Sequence, residues 1–143
     1  MITDKLLRVS TDQAVTTTAV STDTVDLSVA RDIGEGENLY MNFAVTEAFA
    51  GGTSTKFEVI SSASADLSSP TVIGSSDAIV TAGLTIGKNV AVRVNPQIAS
   101  TGQRYFGARY TVVGTNTAGK VTADVVHGVQ DGKKFYASGF TVV

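Results

Sequence analysis

The stretch with the most chemical promise is GTNTAGK, from Gly114 to Lys120. Its two glycines and the following lysine match a phosphate-binding loop in all but the last position. In such a loop, backbone N–H groups cradle phosphate, the lysine reaches it, and a hydroxyl at the next residue holds magnesium. Val121 stands at that next residue. The loop must also open a helix, whose N-terminus supplies positive potential, whereas VTADVV alternates like a strand. The pattern therefore predicts a turn with Lys120 in solvent or against a neighbour. A second near-match, GLTIGKN at residues 83–89, has only three residues between its glycines and fails outright.

Other reactive residues are sparse. His127 is the single histidine, and there are no cysteines. One histidine cannot build a multi-histidine metal site, and no thiolate can substitute. A Ser–His–Asp hydrolase centred on His127 would assemble in space, but the chain has no G-x-S-x-G elbow. Glu35 and Glu37 flank Gly36 in a loop, where two carboxylates are ordinarily solvated. Paired with Asp77 they offer loop oxygens for calcium, without the D-x-D-x-D-G pattern that marks such a site. Asp23 and Asp26 flank a strand start and suit turn capping. No catalytic, cofactor-binding or metal residue is assigned, and no cofactor is expected.

Four tyrosines and six phenylalanines offer stacking faces. Phe43, Phe57, Phe106 and Tyr110 fall on inward positions of the expected strands, which makes them core. Tyr40, Tyr105 and Tyr136 fall on outward or terminal positions and are the aromatic contact candidates.

The elements that would position these residues are strands. Residues 105–126, YFGARYTVVGTNTAGKVTADVV, alternate, break at a Gly/Thr/Asn turn and alternate again, which predicts a long β-hairpin. Its inward set is Phe106, Ala108, Tyr110 and Val112, then Val121, Ala123 and Val125. Residues 39–47 place Leu39, Met41, Phe43 and Val45 on one face. Residues 55–62 turn Phe57 and Val59 inward, and residues 89–95 do the same with Val90, Val92 and Val94. Short strands are expected at residues 24–29, 71–73 and 78–81, with a terminal strand in KFYASGFTVV after the Asp131-Gly132 turn. Gly51-Gly52 makes a loop or hairpin turn, and residues 61–70 a connection closed by Pro70. No segment shows a helix of ten residues.

The fold class is all-β: a single-domain β-sandwich of jelly-roll type with about eight strands. Residues 1–12 are read as an N-terminal arm and 13–143 as the sandwich domain. Leu6 and Leu7, beside Lys5 and Arg8, lie outside any clear strand pattern; they either dock on a neighbour or cover one end of their own sandwich.

Composition fits this class. The chain has 143 residues, 43% hydrophobic and only 17% charged, with abundant Ser, Thr and Val. Its formal net charge of −2 leaves no basic excess to neutralise phosphates, so no nucleic-acid partner is expected. No segment approaches the ~20 apolar residues of a membrane-spanning helix, and no signal-peptide core is present at the N-terminus.

Several segments together resemble a known family. They are ARDIGEGENLYMNFAVTEAF (30–49), SSPTVIGSSDAI (68–79), RYFGARYTVVGTNTAGKVTADVV (104–126) and YASGFTV (136–142). These look like the small jelly-roll cement, or decoration, proteins on the capsids of tailed bacteriophages. The resemblance implies a protein made in the host cytoplasm and carried on the outer surface of the virion. It would bind the major capsid protein as a homo-oligomer, a dimer or trimer, and stabilise contacts between shell subunits without catalysis. The contact candidates are then Leu6, Leu7, Arg8, Tyr40, Tyr105 and Lys120. Two other functions are a carbohydrate- or receptor-binding jelly roll of a tail or fibre and the His127 hydrolase.

Overall fold

The computed structural model describes residues 3–30, 38–94 and 103–129. A single 3₁₀ turn, Lys5–Leu7, leads into β1 (Arg8–Ala14), β2 (Ala19–Val20), β3 (Val25–Asp26), β4 (Leu39–Gly51) and β5 (Ser54–Ser62). Then follow β6 (Thr71–Ser75), β7 (Ile79–Val80), a second 3₁₀ turn (Thr81–Gly83), β8 (Asn89–Arg93), β9 (Tyr105–Val113) and β10 (Asn116–His127). The expected terminal strand, Tyr136, Glu35 and Glu37 lie outside the described residues.

Two antiparallel sheets form the sandwich. The first runs β1-β10-β4-β8; the second runs β2-β9-β5-β6, with β3 also on β9 and β7 also on β5. Ten strands are present among the described residues, rather than about eight. The surplus has a simple origin. β2 and β3 meet β9 at successive positions, and β6 and β7 likewise meet β5, so each outer lane of the second sheet is a strand broken in two. The eight lanes connect in jelly-roll order, and broken lanes blunt an edge that would otherwise recruit further strands.

The inward residues follow the alternation. Met41, Phe43, Phe57, Val59, Ala108, Tyr110, Val121 and Ala123 are completely buried. Phe43, Phe57 and Tyr110 pack at the centre, with ring centroids 5.1–6.0 Å apart. Burying a large apolar side chain is worth about 1.5–3 kcal/mol, so this aromatic cluster is a main source of cohesion between the sheets.

Three local expectations are corrected. β9 and β10 are not a hairpin: β9 pairs with β5, β2 and β3, and β10 with β1 and β4. Alternation marks each strand as half-buried but carries no information about its partner, and the Gly114-Thr115 turn passes between sheets. Residues 24–29 form only the two-residue β3, and Val29 is exposed. The division between residues 12 and 13 falls inside β1, whose Val9 and Ser10 are fully buried. Two register shifts against β10, with Asp12 at φ 43°, disguise β1 in the sequence.

Three of the crossings between sheets, β1–β2, β4–β5 and β9–β10, meet at one end, here the corner end. The β4–β5 turn lies on the β9–β10 turn, through Gly52 N–H to Thr115 O (2.7 Å) and Thr53 N–H to Val113 O (2.8 Å). The β1–β2 turn joins them through Asn116, whose backbone N–H donates to Thr16 O (2.9 Å) and whose Nδ2 donates to Val15 O (2.9 Å). Asn116 is buried, so these bonds are shielded from competing water. Gly52 is required here, because a Cβ would collide with Asn116 Oδ1 and its φ is +51°.

Candidate interaction surfaces

Gly119, the second glycine of the near-match loop, is not in a loop. It lies within β10 at φ +134°, and a Cβ there would stand 2.6 Å from Phe49 Cγ. The glycine makes room for the Phe49 ring where β10 slips register against β4. Lys120 is bound intramolecularly: its Nζ is 2.7 Å from Glu47 Oε2, the facing residue of β4. Hydrogen bonding to Lys120 holds the Glu47 carboxyl below its ordinary range and raises the lysine. Strand geometry on both sides and an engaged lysine leave no phosphate cradle.

The other sequence candidates separate. Arg8 is committed to Asp124 on β10, Nε to Oδ1 at 2.7 Å, with Asp124 almost fully buried. Tyr105 carries the Arg104 guanidinium over its ring, 5.0 Å from the centroid. Arg104 also binds both carboxylate oxygens of Asp26 at 2.7 Å, and that hydrogen bonding lowers the Asp26 carboxyl. Asp26 in addition accepts from Ser28 N–H, the turn role expected of it. Tyr40 faces outward on β4 between Val126 and Arg93 and is half-buried. His127 is exposed at the last position of β10, opposite Leu39. Asp77 is exposed between β6 and β7. Among the described residues, no group of three or more acidic or imidazole ligands converges on a metal position.

Leu6 and Leu7 are brought together in the 3₁₀ turn Lys5–Leu7, beyond the start of β1. Asp4 caps it, with Oδ1 accepting from Leu6 N–H at 2.9 Å. Leu6 is 86% exposed and Leu7 37%. Leu6 thus projects from the sandwich, whereas most of Leu7 is covered by its own chain.

Two features escaped the sequence reading. Glu58 lies on the outward side of the second sheet yet is almost fully buried. It accepts from Arg109 Nε (2.7 Å) and Thr111 Oγ1 (2.8 Å), with Lys56 Nζ at 3.1 Å. Burial opposes its ionisation, but these donors outweigh burial and hold the carboxyl below its usual range. Cross-strand pairing with β9 brings Arg109 and Thr111 there, while Lys56 lies two residues before Glu58 on β5 itself. The second feature is an aliphatic pair at the corner end. Ser54 is the register partner of both Val80 and Val113, so the two valines flank it on one face, and both are exposed. The signal was present in Val112-Val113, because consecutive valines on one strand cannot both point inward.

Next to that open half, the outward face of the second sheet is covered. Leu67, from the β5–β6 connection, folds over Gly107 beside the fully buried Ile60.

The architecture defines an all-β jelly-roll protein, two antiparallel sheets packed as a sandwich. The family model Bbp16 matches residues 9–125, most of the chain, and the chain belongs to the Bbp16 family, which is phage-related. No curated protein matches it.

Proposed function

We propose that the protein is a bacteriophage capsid cement protein, which binds the outside of the icosahedral head and ties neighbouring major capsid subunits together. The observation that carries this reading is the match to the phage-related Bbp16 family, which runs from β1 into β10 and so takes in the sandwich as a whole. The physical character of the molecule supports it. Corner turns sewn together by buried hydrogen bonds and a continuous aromatic core make a rigid body, and rigid binders lose little entropy on docking. Many modest contacts repeated over a shell add cooperatively to its stability.

On this reading the chain has no turnover of its own, acts as a homo-oligomer and resides on the virion exterior after synthesis in the host cytoplasm. It uses neither nucleic acid nor membrane. A glycan-binding role has less support, because the guanidinium of Arg104 already occupies one face of Tyr105. Co-sedimentation with phage heads stripped of the protein tests the proposal. Saturable binding and a higher head disruption temperature are expected; heads that sediment without it would refute the role.

A further inference from the structure

The exposed large aliphatic side chains are not scattered. Among the described residues they are Leu6, Leu7, Val29, Val80, Ile86 and Val113. Leu6 and Leu7 precede β1, whose Arg8 faces Asp124 near the finish of β10, and Val29 follows β3, whose Asp26 faces Tyr105 at the start of β9. All three thus lie at the end opposite the corner turns. Val80 and Val113 lie at the corner end, and Ile86 lies in that half of the molecule, in the turn beside Val45 of β4. The two ends are separated by most of β10, on the order of 30 Å at the usual rise per strand residue.

Both tips are braced. At the far end Asp4 caps the turn that presents Leu6, and the Arg8–Asp124 ion pair fixes the base of that turn to β10. At the corner end Thr53 holds the two valines in place. Its N–H donates to Val113 O at 2.8 Å, and its carbonyl accepts from Thr81 N–H, next to Val80, at 3.1 Å. An exposed aliphatic side chain on a fixed backbone suits a small apolar pocket, since little ordering remains to be done on contact.

We propose that the sandwich is a two-ended connector: Leu6 at one end and the Val80–Val113 pair at the other each seat in a separate copy of the same shell subunit. This rests on the cement reading above. The chemistry of the tips selects protein as the partner. At the Leu6 end the guanidinium of Arg104 already covers one face of Tyr105, the exposed pair at the other end is aliphatic, and the chain's net charge of −2 does not suit nucleic acid. A bilayer is met from one side, so it cannot take apolar tips at opposite ends of a rigid body. A repeating protein shell offers identical pockets at fixed spacing, and a connector reaching two of them binds the second at high effective concentration.

The test uses the full chain and stripped heads, with variants Leu6→Asp, Val80→Asp/Val113→Asp and all three combined. Val80→Thr/Val113→Thr, which keeps the β-branched shape, serves if the aspartates disturb β7 or β9. Circular dichroism and thermal melting check that each variant folds. Loss of one tip should weaken head binding by about 10²-fold or more, the lower bound of the usual linkage gain. It should also abolish the rise in head disruption temperature even at saturating occupancy, while the combined variant shows no binding. If either tip variant binds and stabilises heads like the unmodified chain, the two-ended proposal is wrong. If instead a tip variant shifts the solution mass by light scattering with head affinity unchanged, the tips join copies of this chain, and the proposal is equally overturned. Failure of the unmodified chain to bind heads marks failure of the cement reading itself.

Discussion

Tyr110 on β9 donates its hydroxyl hydrogen to Ser10 Oγ on β1 at 2.8 Å, a hydrogen bond that crosses the sandwich from one sheet to the other. Ser10 passes the chain on to Gln13 Oε1 (2.7 Å), and Gln13 Nε2 donates to Val20 O (2.7 Å) on the second sheet. One buried phenol thereby closes the open side of the sandwich between β1 and β2. The arrangement explains why Ser10, a polar residue, is fully buried next to the core residue Val9.

Removing that hydroxyl with Tyr110→Phe should cost about 1–2 kcal/mol, the usual range for a lost buried hydrogen bond. Burial pushes the phenol well above its ordinary value of 10.0, against a smaller lowering by Ser10. A raised folded-state value gives stability that is complete below the unfolded value and lost as pH rises above it. Urea unfolding at pH 7 and above pH 10 should show the Tyr110→Phe penalty shrinking in alkali. A penalty independent of pH would contradict this.

Glu58 behaves in the opposite sense. Its folded-state value is depressed, so its stabilisation is present above the ordinary glutamate range and fades as pH falls through the folded value. Glu58→Gln should cost about 1–2 kcal/mol at neutral pH, since Arg109 and Lys56 remain partly solvated. The variant should lose less stability than the unmodified chain between pH 5 and about pH 3. Parallel acid unfolding curves for the two proteins would show that Glu58 is not a clamp.

The buried Asn116 side chain ties the β1–β2 turn, through Val15 O, to β5, through Thr55 Oγ1 (3.4 Å), beside the β4–β5 turn, so Asn116→Ala should be worse than a typical surface change, at about 2–3 kcal/mol. Amide exchange provides the specific readout. Protection should fall at Asn116 N–H, Gly52 N–H and Thr53 N–H together, because these groups share one knot. Loss at Asn116 alone would mean that the turns are held independently.

Gly119→Ala tests whether that glycine serves packing. The φ of +134° and the Phe49 ring both oppose a Cβ, so destabilisation of about 1–3 kcal/mol is expected. Combining it with Phe49→Leu should recover part of the loss. An additive double mutant would show that backbone strain, not the ring, sets the cost.

Most of the core was legible from alternation, because strands with one buried face write their period into the sequence: Met41, Phe43 and Val45, or Phe106, Ala108 and Tyr110. β1 was not legible, since its register shifts bury Val9 and Ser10 in succession and break the period. The partner of β10 was not legible either, because β-pairing is long-range and the Gly114 turn serves a sheet crossing as well as a hairpin. Leu6 and Leu7 were legible as apolar residues outside a strand, and they lie in the 3₁₀ turn before β1. The sequence could not show that Arg8 and Lys120 are held by Asp124 and Glu47, which lie 116 and 73 residues away along the chain.

The most direct measurement is a cryo-EM reconstruction of mature phage particles produced in cells that express this chain. Density for a jelly-roll sandwich of this topology should lie outside the shell, bridging adjacent major capsid subunits. A resolved shell with no such density outside it, and the protein absent from the purified particle, would contradict the capsid role.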